Sequence, residues 1–185
     1  MKLYTVDRGS TLREGMVLNL TKEDPYKLPF LEVKGLLNSD ELAQHLFMLF
    51  PDGLSHHGWV YLKYMHTVGC SSNYQLKTSY LMEMNLEYVR KAHFPDKPSR
   101  LQSLFASESL DDATKFLTKY RPIDSRIFEI EADEYLKVDM SFILLGTQNV
   151  MGSFLAHQYW NEGATNNPCW EYLVKLPATV LKQVG

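Results

Sequence analysis

The chain has 185 residues, 45% of them hydrophobic and 22% charged, the composition of one ordinary globular domain. That excludes collagen-like repeats, coiled coil and wholesale disorder. With 19 Lys and Arg against 22 Asp and Glu the net charge is −3, so no global field gathers nucleic acid, although a local groove still can.

Residues 2–8 alternate apolar and polar with Val6 inside, and read as a short strand broken at Gly9 and Ser10. Met16 to Leu20 alternates again after a turn at Gly15. Residues 22–38, with Asp24-Pro25, Pro29 and Gly35, read as loop. Ser39, Asp40 and Glu41 open a helix carrying Leu42, Leu46 and Leu49, and Pro51-Asp52-Gly53 ends it. His56, His57 and Gly58 form a polar loop. Residues 59–65 are strand or helix, which periodicity alone leaves open. Ser71 or Ser72 caps a long helix that runs to Pro95 and Pro98. Residues 102–107 form a strand, and Ser109 caps a helix with Asp111 and Asp112 in its first turn and Ala113, Phe116 and Leu117 inward. Arg121-Pro122 ends that helix. Residues 126–132 alternate as a half-buried strand, and 135–145 hold another. Residues 150–160 form a short helix, 161–168 a polar loop, 171–176 a strand, and Pro177 begins a last turn or helix with Val180 and Leu181. The sum is one α+β domain over 1–185 with short strands, antiparallel or mixed.

Cys70 and Cys169 are too few for a disulfide framework and read as reduced thiols. The opening MKLYTVDRGS has no apolar targeting core, and no run reaches the roughly 18 apolar residues of a membrane helix, so a cytoplasmic protein is expected. The chain has no HExxH, no CxxC, no GxxxxGK[ST] and no GxGxxG. His56, His57 and His66 match no structural zinc spacing and read as solvated loop residues, so no metal is expected. A Cys70–His66 nucleophile pair carries little weight. Lys91, Lys97 and Arg100 make a small positive spot, suited to phosphate or to the end of a helix.

Three segments carry more chemistry. Pro98 to Phe116 places Ser99, Arg100 and Ser103 at and inside a strand. Asn166 to Pro177 delivers Glu171, flanked by Trp170 and Tyr172, to the start of another. Tyr4 to Gly9 ends the first strand in polar residues. Together with LYTVDR, GMVLNL, FPDKPSRLQSLFASESLDDATKF, Tyr159-Trp160 and WEYLVKLP, they make the chain resemble the ADP-ribosyltransferase superfamily, most narrowly a bacterial and phage branch of such domains.

That resemblance implies a split pair of mostly antiparallel sheets with flanking helices, holding NAD as substrate in a cleft between them, and no metal. It implies that a first-strand residue, Tyr4 or Arg8, binds NAD, with Ser103 in the second-strand role and Ser99 and Arg100 near the pyrophosphate. Tyr159 and Trp160 line the cofactor site. Glu171 is the catalytic carboxylate, with Glu162 in YWNEG as the fallback. The first strand has no His, there is no Ser-Thr-Ser triplet, and Cys169 replaces the first member of a Glu-x-Glu or Gln-x-Glu pair. The missing pair argues against arginine as acceptor. The implied partners are an RNA, DNA or protein acceptor and an antitoxin or chaperone protein, as for a toxin in phage conflict. Two other readings stand beside this one: an inactive nucleotide- or partner-binding domain of the same fold, and an RNA-processing enzyme built on Arg8, Arg90, Lys91 and Arg100.

Overall fold

The alternation in the first strand buries one set of residues and leaves the other half-covered. In β1 (Lys2–Asp7) the buried set is Leu3, Thr5 and Asp7, with Val6 only partly covered. A threonine and an aspartate tolerate burial because both are bonded: Thr5 Oγ1 donates to the Phe105 carbonyl at 2.7 Å, and Asp7 accepts from Leu12 N at 2.9 Å. The computed structural model describes residues 1–8, 10–25, 27, 39–64, 74–120, 125–144 and 149–185. Gly9, Pro29, Gly35, His66, Cys70, Ser71, Ser72, Arg121 and Pro122 of the sequence reading lie outside them.

The elements that follow are β2 (Val17–Leu18), α1 (Ser39–Leu49), α2 (His56–Trp59), α3 (Tyr74–His93), β3 (Ser103–Ala106), α4 (Leu110–Tyr120), β4 (Arg126–Glu131), β5 (Tyr135–Asp139), α5 (Asn149–Trp160), β6 (Trp170–Lys175) and β7 (Ala178–Gln183). Short 3-10 turns at Arg100–Gln102 and Met140–Phe142 precede β3 and follow β5. All named strand pairs are antiparallel: β1-β4-β7-β2 form one sheet and β3-β6-β5 the other. The α+β reading with antiparallel sheets and flanking helices therefore holds.

Four expectations change. His56 and His57 are not loop residues: Ser55 caps α2 by accepting from Gly58 N at 3.2 Å, and a π-helical turn over Val60–Tyr64 continues it, which settles 59–64 as helical. Gly58 is needed there, because a Cβ would lie 2.1 Å from the Leu101 carbonyl oxygen. The strand expected over 135–145 stops at Asp139, whose side chain accepts from Ser141 N at 2.9 Å and turns the chain. The last segment is strand β7 rather than a helix, with Ala178 and Val180 buried at period two. Finally, β4 is buried on both faces: Phe128 and Ile130 join the core between the sheets, and Ile127 and Glu129, whose side chains alternate with them, are buried as well. Glu129 is buried there with Lys2 at 2.6 Å and Lys182 at 3.7 Å from its carboxylate.

The two sheets share an apolar layer, in which Leu3, Phe128, Ile130 and Val180 meet Ala106, Tyr172 and Val174. The other face of the second sheet, with Leu173 and Val138, packs on Leu86, Val89, Ala156, Tyr159 and Trp160 of α3 and α5. A third cluster gathers Leu46, Phe50, Leu54, Trp59 and Leu101 under α1 and α2. Side chains alternate along β6, so Glu171 shares the face of Leu173 and turns toward the helices. The space between the sheets is apolar core, not the cleft that the resemblance implied.

Candidate functional site

Helix α3 carries Glu83, Glu87 and Arg90 at helical spacing on its inner side, and all three are buried. Charged residues bury only when they are paired, and two arginines supply the pairs. Arg90 forks onto Glu87 at 3.0 and 2.8 Å, Ser99 Oγ donates to the same carboxylate at 2.8 Å, and Arg90 Nη1 donates to the Pro95 and Lys97 carbonyls. One turn earlier, Arg100 forks onto Glu83 with two bonds of 2.9 Å. Its remaining amino group, Nη1, donates to Tyr159 Oη and to Glu171 Oε1, and Tyr159 Oη donates to the same Oε1 at 2.8 Å. The Arg100 guanidinium also lies 4.6 Å from the Phe105 ring centroid and 5.4 Å from that of Tyr159.

His57 closes the cluster from α2. Its ring stacks on Tyr61 at 4.3 Å and meets Phe105 edge-on at 4.5 Å. Nε2 lies 3.5 Å from Glu83 Oε1 yet makes no hydrogen bond, and it is buried. Burial pushes the His57 pKa below its ordinary 6.5 against the pull of Glu83, and His56 is lowered mainly by burial as well. Burial favours the neutral form of Glu83, but the Arg100 charge and then His57 outweigh it and hold the carboxyl well below the usual range. Burial works against Arg100 too, and Glu171 and Glu83 outweigh it, keeping the guanidinium charged. Burial drives Tyr159 well above its ordinary 10.0, so its hydroxyl stays a donor. With His57 neutral, one guanidinium faces two carboxylates, and the cluster carries one excess negative charge.

Glu171 owes its position to a second buried carboxylate. Asp139 stands opposite Trp170 in the β5–β6 register. Its oxygens accept from the backbone N of Ser141, Thr165 and Cys169 at 2.8–2.9 Å and from Thr165 Oγ1 at 2.8 Å. This ties down the loop that leads into β6. Among the described residues both hydrogen bonds of Glu171 fall on Oε1; Oε2 receives none, and the side chain keeps 11% of its surface exposed to solvent.

Of the residues expected at the site, Glu171, Arg100 and Tyr159 come together. Arg8 follows β1, is exposed, forms no ion pair or hydrogen bond among the described residues, and repels charge on His56 and His57. Ser99 joins the Glu87–Arg90 group instead. Ser103 lies opposite Lys175, at the other end of β3–β6 from Glu171, and its hydroxyl donates to the Ser99 carbonyl at 2.7 Å. The Tyr4 backbone bridges Ser107. Trp160 is core, with Nε1 donating to the Leu86 carbonyl at 2.8 Å. Glu162 is surface-exposed and pairs with Lys97. The expected positive spot does not form, because Arg100 points inward. Arg90 and Lys91 do not join Arg8 and Arg100 either, since Lys91 donates to the Leu49 carbonyl and lies over Phe50. Glu83 and His57 were missed. The signal for Glu83 was present: two glutamates and an arginine at positions i, i+4 and i+7, interleaved with Met82, Leu86 and Val89. His57 had none beyond the Ser55 cap.

Residues 3–185 match a family model described as a protein of unknown function, DUF2441. No curated protein matches the chain.

Proposed function

The chain belongs to the DUF2441 family, and we propose that it is an NAD-dependent ADP-ribosyltransferase acting on a nucleic acid or a protein. The observation that supports this reading is the half-pinned carboxylate of Glu171. Arg100 and Tyr159 fix Oε1, while Oε2 receives no hydrogen bond among the described residues, in a cluster with one excess negative charge. Cleavage of the nicotinamide–ribose bond sends the bonding pair to the nicotinamide nitrogen and leaves positive charge on the ribose carbon and ring oxygen. A preorganised anion stabilises that state, and its free oxygen accepts a hydrogen bond from a ribose hydroxyl. The acceptor's nucleophilic atom then bonds to the same carbon and releases its proton. Arg8, exposed and without an ion pair among the described residues, suits the diphosphate. Tyr61, His57 and Phe105 form a ring-lined wall.

The test uses NAD labelled in the adenylate phosphate, incubated with the protein and a total cell lysate, followed by separation of RNA, DNA and protein. Label in one fraction, lost in Glu171→Gln, is the expected result and names the acceptor class. Growth arrest on expression, relieved by the same substitution, is expected of a toxin with an antitoxin partner. The second reading, a nucleotide-binding domain without turnover, draws on Arg100 neutralising part of the Glu171 charge and on Ser103 lying elsewhere. NAD binding by calorimetry with neither label transfer nor nicotinamide release would establish it and overturn the first.

A further inference from the structure

We propose a second site, independent of Glu171, at the open end of the four-stranded sheet: a pocket for a small molecule bearing a phosphate group, held between Arg13 and Arg126. A cavity of about 550 Å³ opens there, lined by Ser10, Leu12, Arg13, Ser125 and Arg126. That volume exceeds the need of a bare ion and falls within the roughly 300–1,000 Å³ of small-molecule sites.

Arg126 begins β4 and stands opposite Asp7 in the β1–β4 register. Its Nη2 lies 3.2 Å from Asp7 Oδ2. That is one of five guanidinium N–H donors, and no other is used among the described residues. Asp7 is itself shared, because it also accepts from Thr11 N, Thr11 Oγ1 and Leu12 N as it folds the 10–12 loop. Nε of Arg126 and Oγ of the adjacent Ser125 are both buried without a partner. Buried donors are nearly always bonded, so a pair of them side by side at a cavity wall marks the place of a missing acceptor. The Arg126 side chain is about one-third exposed, so a small rotation brings Nε to an incoming oxygen.

Arg13 completes the site from the loop between β1 and β2. It is exposed, and its side chain has no bond among the described residues. Among the described lining residues the only charges are two guanidinium groups, with Asp7 as the one carboxylate paired to Arg126. Their planar forks suit the several oxygens of a phosphate group. Leu12, 8% exposed, gives the body of the ligand an apolar contact. Arg8, one residue beyond Asp7, disfavours charge on His56 and His57, while Asp7 favours it on His56, so the independence of the two sites is read from Glu171→Gln.

The experiment is calorimetric titration with inorganic phosphate, ribose 5-phosphate and AMP at low salt, on the intact chain. Binding of at least one is expected. It should weaken about 10-fold or more in Arg13→Glu and about 3-fold in Ser125→Ala, fall with added salt, and stay unchanged in Glu171→Gln. Arg13 is exposed and unbonded, so its substitution leaves the melting temperature in place and isolates the binding effect. Three results would overturn the proposal: no heat with any probe, wild-type affinity in Arg13→Glu, or loss of binding in Glu171→Gln. None depends on NAD turnover, so a failed ADP-ribosylation assay leaves this result readable.

Discussion

Two arginine–carboxylate groups hang from the same helix one turn apart, and they differ in charge and closure. Glu87 and Arg90 pair one to one, with Lys91 at 3.9 Å from the same carboxylate, and both carboxylate oxygens and both ends of the guanidinium fork are bonded. Glu83, Arg100 and Glu171 are also buried, but they carry one excess negative charge, an unpartnered histidine nitrogen and one carboxylate oxygen without a hydrogen bond among the described residues. Saturated bonding and a carboxylate fully compensated by cations are what a structural pair needs when burial costs several kcal/mol per ion. Excess charge and an open valence add nothing to folding, which makes the second group the place to look for chemistry.

The largest effect should come from Arg100→Met, which strands two buried carboxylates and should cost about 3–5 kcal/mol or prevent folding. Urea unfolding measures it, and a loss under 1 kcal/mol would dissolve the contrast. Arg90→Met should cost about 3 kcal/mol by the same reasoning, yet leave NAD turnover per folded molecule unchanged. Lower specific turnover would mean that the closed group also serves the site. Glu171→Gln should be near neutral, within about 1 kcal/mol, because Gln keeps an acceptor for Arg100 and Tyr159 while the excess charge is removed. Turnover should vanish at unchanged melting temperature. A fourth test is pH. The folded pKa of His57 is depressed below 6.5, so the unfolded chain binds the proton more readily. Stability is therefore full above about pH 6.5 and falls on acidification, and falls further through the carboxylate range as Glu83 protonates. Melting curves from pH 8 to 5 should slope downward below about pH 6.5, and His57→Gln should reduce that slope, leaving the smaller part that His56 contributes. Least of all, Lys115→Ala on exposed α4 should leave the unfolding midpoint unmoved.

Much of the framework was legible from local signals. The long helix through Glu83, the Asp111-Asp112 start of α4 and the strands β1 and β4 are legible because propensity and pattern agree there, although β1 buries Thr5 and Asp7 in place of Val6 and β4 is buried on both faces. The misses have tertiary causes. The His56-His57-Gly58 tripeptide suits a polar loop, and the Ser55 cap together with the close approach of Gly58 to Leu101 makes it a seated helix. The segment after Pro177 has strand alternation, but it needs β4 as a partner, which pattern alone does not supply. At the site, Glu171, Arg100 and Tyr159 were singled out through the resemblance and are close in space. Their bonding depends on Glu83, whose side reads as an ordinary polar stripe until α3 is known to face inward with it. The resemblance assigns Ser103 to the same site as Glu171, and both sit at strand starts. Antiparallel pairing of β3 and β6 puts two strand starts at opposite ends.

The order of synthesis meets an obstacle in the first sheet. β1 pairs only with β4 among the named strands, Lys2 lies opposite Glu131, and the Met1 amino group reaches Ala132 across 131 positions. At ribosomal speeds β1 waits on the order of 10 s for its neighbour to be made. During that time Leu3 and Val6 stand on an unpaired edge, the kind of template on which chains aggregate. Helix α3 can form early from local contacts, whereas closing both sheets waits for β6 and β7. A nascent chain of this protein should therefore be a client of whatever shields exposed strands at the tunnel exit.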